Sequence, residues 1–149
     1  MTIEPFQPIH IDILKAQGVQ GSQVQEVSHV PASCASVQRP LGPAVTARAG
    51  GKILLCGGVV TIGSYMGIGW AVLSKDAWLY MTPLHYATKR FLDASGLRRI
   101  EATVEEGFTE GCRWMRLLGF KFEGNMPGYG TKGETHLRFG RVWPSSLQS

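Results

Sequence analysis

The strongest hydrophobic period in the chain lies between Thr82 and Gly96. Leu84, Ala87, Thr88, Phe91 and Leu92 fall on one side of a helix there, and His85, Lys89, Arg90 and Asp93 fall on the other. Thr82 followed by Pro83 predicts the helix start, with the hydroxyl as cap, and Gly96 predicts its end. The period then drops to two: Ile100, Ala102 and Val104 alternate with Glu101, Thr103 and Glu105, as in a strand with one buried face. It returns to helical after Thr109, a candidate cap, with Trp114 and Leu118 inward and Arg113 and Arg116 toward water until Gly119. Upstream, Ala44–Arg48, the turn at Gly50 and Gly51, and Lys52–Ile62 predict a β-hairpin, and Ile68–Leu73 predicts a third strand after a turn over Gly63–Gly67. Gly57 and Gly58 in mid-strand predict a bulge or a close approach of another backbone.

Near the amino terminus, Ile9, Ile13 and Ala16 share one side of a short helix that ends near Gly18. Residues 17–43 carry little period and read as an irregular segment. At the other end Phe120–Glu123 and Thr135–Trp143 read as strands around a glycine-rich loop, Gly124–Gly133, and residues 144–149 read as a tail. The order is helix, three-strand meander, helix, strand, helix and two strands, which predicts a mixed α/β fold.

Composition narrows the class. The 149 residues suit one domain, 1–143 with its tail, and 44% hydrophobic against 17% charged residues is enough apolar side chain for a core. Lys and Arg exceed Asp and Glu only 15 to 11, without a basic run, so nucleic acid is an unlikely partner. Cys34, Cys56 and Cys112 are far apart and form no CxxC pair, which predicts inert thiols and no metal site. The start has no signal-peptide pattern and no stretch is long and apolar enough to span a membrane, so synthesis in a cytoplasm is expected. Neither a nucleophilic triad signature nor a P-loop, HExxH or Rossmann fingerprint occurs.

The segment from Arg98 to Gly124, and in it Leu118-Gly119-Phe120 followed by a strand and Glu123-Gly124, resembles the carboxy-terminal half of the GNAT N-acyltransferases. Gly51-Lys52-Ile53-Leu54-Leu55-Cys56-Gly57-Gly58-Val59 is similar to another strand of that family. The resemblance implies a GNAT-like mixed, mostly antiparallel central sheet flanked by helices, with acetyl-CoA between two splayed strands and its pyrophosphate on a glycine loop that opens the next helix. Here that stretch is Ser74–Pro83, which has no glycine and includes a proline without an N–H. Remaining candidates for the coenzyme are the backbone of Leu79, Tyr80 and Met81 for the pantetheine arm, and the amides of Leu84 and His85 with Lys89 for an anion. Trp78 and Tyr80 are the aromatics expected to matter if a side chain plugs the gap. The family's proton-donating tyrosine falls on Met115, which cannot donate, and Glu101 and Glu105, on one strand face, are the candidate bases.

In its amino-terminal helix, its short meander and the strand Arg99-Ile100-Glu101-Ala102-Thr103-Val104, the chain also resembles small GNAT-like proteins of tailed-phage structural modules. That likeness implies a virion or assembly role without acetyl transfer and without a cofactor, in a host cytoplasm or a virion. Its partners would be other virion or assembly proteins or further copies of the chain, with Gln17–Pro43 and Gly124–Gly133 as contact segments. The alternative is a divergent acyl-CoA-dependent N-acyltransferase.

Overall fold

The computed structural model describes residues 1–18 and 42–143. They form strands β1 Thr2–Pro5, β2 Ala44–Ala49, β3 Lys52–Ile62, β4 Met66–Leu73, β5 Arg99–Glu105, β6 Lys121–Met126 and β7 His136–Val142. The helices are α1 Ile9–Gln17, α2 Met81–Asp93 and α3 Thr109–Leu117, and a 3-10 turn, Ala77–Tyr80, runs directly into α2. One sheet has the order β1-β2-β3-β4-β5-β7-β6. Its neighbours are antiparallel except β4 and β5, which run parallel. The mixed α/β architecture is the one expected. β1 is additional: four residues ending in a proline carry no pattern of their own, and the strand exists because it pairs with β2, Ile3 opposite Ala47.

Side chains alternate between two faces. Leu55, Val59, Leu73, Ile100, Ala102, Val104 and Phe139 pack on Leu84 and Leu92 of α2 and on Cys112, Trp114 and Leu118 at α3. On the other face Ile53, Cys56 and Val72 meet Phe6 and α1's Ile11 and Leu14. The faces exchange along β3 because Ala47 pairs with Leu55 while Arg48 pairs with Ile53, leaving Leu54 as the extra residue of a bulge. The bulge is therefore not at Gly57 and Gly58. What Gly58 serves is the close approach: a Cβ there would stand 2.6 Å from the Pro43 carbonyl oxygen, which accepts the Val59 N–H at 3.0 Å.

α1 is rotated from the expected stripe. It buries His10, Ile11 and Leu14 and leaves Ile9 and Ile13 exposed. His10 sets the rotation through polar contacts that hydrophobic periodicity cannot register. Its Nδ1 lies 2.7 Å from Thr46 Oγ1 and accepts the Gln7 N–H at 3.1 Å. Its Nε2 lies 3.4 Å from the Glu4 carboxylate, which also accepts from Arg48 Nε at 2.6 Å. Beyond Thr46, at 3.6 Å, is the Cys56 thiol, which burial pushes up to about 11. Cys56 and Cys112 are buried, and neither is in a disulfide among the described residues. Cys34, residues 19–41 of the irregular segment and the tail lie outside the described residues.

Helix starts also differ. α2 begins at Met81 with Tyr80 at the N-cap and no side-chain cap bond, so Thr82 is inside the helix. The preceding 3-10 turn supplies carbonyls to the first amides and replaces a capping hydroxyl. α3 likewise has Phe108 at its N-cap and Thr109 as its first residue. Its end is as predicted: Gly119 has φ 93°, its N–H reaches the Arg116 carbonyl at 3.0 Å, and the Phe120 N–H reaches Met115 at 2.9 Å. This paired closure turns Phe120 into the core.

Candidate functional site

Among the described residues β4 and β5 pair only through Met66–Arg99, Gly67–Ile100 and Ile68–Glu101. Beyond Ile68 both strands continue, to Leu73 and Glu105, and diverge. The closed end is fastened by the Tyr65 carbonyl, which accepts the Arg98 and Arg99 amides at 2.9 and 3.0 Å. At the open end the Ser74 N–H is given to the Leu54 carbonyl of β3 at 2.8 Å. The strand's alternation therefore turns the backbone groups of Ala71 and Leu73 the opposite way, into the gap.

The gap opens into a cavity of about 220 Å³. Small residues create it: Ala47, Gly57, Gly69, Ala71 and Ala102 on the sheet, Ala87 on α2 and Gly111 on α3. All five α2 residues predicted to face inward line it, with Trp114 and Met115 of α3 opposite. At the gap Ile68, Trp70 and Thr103, residues of the other sheet face, also border it. Trp70 has its indole Nε1 buried with no hydrogen-bond partner among the described residues, and its ring is edge-on to Phe6, centroids 5.2 Å apart. Trp78 and Tyr80 do not line the cavity; Trp78 is half-exposed and Tyr80 packs at the margin of the core.

The residues chosen from sequence are scattered around this space. The amides of Lys75, Asp76, Ala77 and Leu79 are given to the Gly18 carbonyl, Ser74 Oγ, the Ser74 carbonyl and the Asp76 carbonyl at 3.0–3.2 Å. Leu79, Tyr80 and Met81 are helical, so their backbone groups serve the turn and α2, and the backbone groups that face the gap are those of Ala71 and Leu73. Leu84 is buried and lines the cavity, and as the fourth residue of α2 its amide lies inside the helix, as does that of His85. The His85 ring accepts the Trp114 indole N–H on Nδ1 at 3.3 Å, tying α2 to α3. Lys89 is exposed and paired with Asp93 at 3.3 Å. Glu101 and Glu105 share a face of β5 as expected, the face opposite α2, and neither lines the cavity. Glu101 pairs with Arg99 at 3.0 Å, and Arg99 is also bound to Glu123.

Tyr129 is a site residue that the sequence pattern does not single out. Assigned from its loop to a contact surface, it is the one titratable side chain among the described residues that line the cavity. Its signal was a lone aromatic in a glycine-rich loop, which has no periodicity to say where the ring points.

With the splayed strands and cavity in place, comparison with solved structures is decisive for the fold. The ribosomal-protein-S18-alanine N-acetyltransferase of Escherichia coli superposes with a TM-score of 0.70 at 13% identity, over 98% of this chain and 97% of that one. The chain has the GNAT fold. A GNAT-family acetyltransferase from Streptococcus pneumoniae (TM-score 0.66, 17% identity, 96% and 99% covered) and an aminoglycoside 6'-acetyltransferase type Ii (0.65, 17%, 97% and 99%) agree. No protein-family model matches the sequence, and no curated protein matches it closely enough to count as a relative. In GNAT terms the Leu118-Gly119-Phe120 turn and the β4–β5 gap stand where the sequence resemblance put them.

Proposed function

We propose that the protein is a divergent N-acyltransferase that draws its acyl group from a thioester whose pantetheine arm lies between β4 and β5. The observation that carries this reading is the gap itself: two parallel strands stop pairing after Ile68 and Glu101 and leave a cavity that no side chain of the described residues fills. A fold filled for packing alone would close that space, since protein interiors approach crystal density. The arm's amides meet the open edge of β4 at Ala71 and Leu73 as an added strand would. Structural neighbours named as acetyltransferases support the same reading, and acetyl-CoA is the donor the resemblance implies.

The transfer balances as follows. An amine nitrogen attacks the thioester carbonyl carbon, the C–N bond forms and the C–S bond breaks. The leaving thiolate takes a proton from the Tyr129 phenol, and the proton lost by nitrogen passes to solvent water. Tyr129 thus takes the role that Met115 cannot fill. Calorimetry with acyl-CoA donors, followed by thiol release in the presence of an amine panel, tests the reading. No heat at millimolar donor together with no release of thiol removes it.

A second reading is favoured by one observation, the engagement of the loop amides ahead of α2, which leaves a diphosphate without its usual seat. It is the virion or assembly role that the narrower sequence resemblance implies, with Gly124–Gly133 as a contact segment. Deleting the tip of that loop then abolishes incorporation into an assembly; retained assembly counts against the role.

A further inference from the structure

We infer that the donor's acyl group is an apolar chain of up to roughly nine carbons, laid across the sheet beneath α2; the inference rests on the acyltransferase reading above. The cavity does not stop at the gap. It continues over Ala71 of β4, Gly57 and Leu55 of β3, Val45 and Ala47 of β2 and Ile3 of β1. Register puts all six on the α2 face, because Gly57 lies opposite both Ala71 and Val45, Leu55 opposite Ala47, and Ala47 opposite Ile3. None has a polar side chain, so this sector rewards an apolar occupant and penalises a polar one.

Two independent measures set the length. From β4 to β1 is three strand spacings, about 14 Å, and a chain of ~1.5 Å bonds at ~111° advances roughly 1.25 Å per carbon, so about eleven carbons span it. By volume, a cavity of about 150 Å³ holds a six-carbon ring, and the cavity here, the gap included, is about 220 Å³, which caps the chain at roughly nine carbons. An acetyl group would leave most of the sector unfilled. Longer chains emerge beside Ile3, which is 48% exposed at the edge strand.

The test is titration of the full chain with acyl-CoAs of increasing length, from acetyl upward. The Kd is expected to fall about two- to fourfold per added methylene and to level off once the sector is filled. Ala47→Leu occupies its middle and is expected to reduce the ratio of acetyl to decanoyl Kd at least tenfold. Ile3→Trp narrows the far end from an exposed position and gives the same direction should the buried variant not fold. Binding that is independent of chain length, or variants that leave the ratio unchanged, overturns this inference while the acyltransferase reading stands. Absence of binding by every thioester overturns both.

Discussion

Tyr129 stands at the cavity with its ring edge toward the buried His136, centroids 5.3 Å apart. His136 Nε2 lies 3.4 Å from Glu134 Oε1, and Glu134 in turn accepts the Lys132 N–H on Oε2 at 2.9 Å and the Gly130 N–H on its carbonyl at 3.0 Å. The loop that carries the phenol is therefore folded on itself. Tyr129→Phe keeps the ring and removes the proton, so kcat is expected to drop by about 10²-fold with the donor Kd nearly unchanged. Steady-state thiol release beside calorimetry checks it, and an undiminished kcat removes Tyr129 from the chemistry. Residues like this one were the least legible from sequence, because a loop side chain takes its direction from hydrogen bonds that close only in three dimensions. His10 was illegible for the same reason. Leu84, Phe91, Ile100 and Trp114 were placed correctly because helical or strand period alone fixes which way they point.

Among the elements, α2 and β5 were read to within a residue or two, and the segment joining β4 to α2 was not. Its proline and missing glycine are what the expectation of a poor diphosphate seat rests on. They did not foretell that Ser74 would use both its hydroxyl and its carbonyl to satisfy Asp76 and Ala77, nor that Gly18 would take the Lys75 amide. On the acyltransferase reading proposed above, these engaged donors leave the nucleotide end of coenzyme A little to hold it here. An acyl-pantetheine lacking the diphosphate is accordingly expected to bind within about tenfold of the matching acyl-CoA. Equilibrium competition between the two measures it, and a hundredfold advantage for the coenzyme would show that the phosphates find donors elsewhere.

On the scale of the whole molecule, the order of elements was legible and the pairing was not. Strand period gives a buried face, but only long-range contact decides that β1 joins β2 or that β5 lies parallel to β4. The corner where β1, α1 and β2 meet also sets an acid limit on stability. Burial lowers the His10 pKa, and the Arg48 hydrogen bond lowers that of Glu4. Both groups bind protons more weakly folded than unfolded, so the stability they contribute is complete above their ordinary values and is lost as pH falls through the folded ones. The melting temperature is expected to decline from about pH 7 to about pH 5 as His10 charges, and further below that as Glu4 is protonated. In His10→Asn the decline over the upper window flattens; an equal slope in both proteins contradicts the assignment.

The three-pair join of β4 to β5 also makes the sheet a pair of shears, with β1 to β4 as one blade, β5 to β7 as the other, and the rivet at Tyr65–Ile68 and Arg98–Glu101. Whatever is held between the blades loads that rivet. Amide hydrogen exchange at these residues should slow when a donor is seated, although none of them need touch its reacting end, and the degree of slowing would report how far the blades had been free to swing.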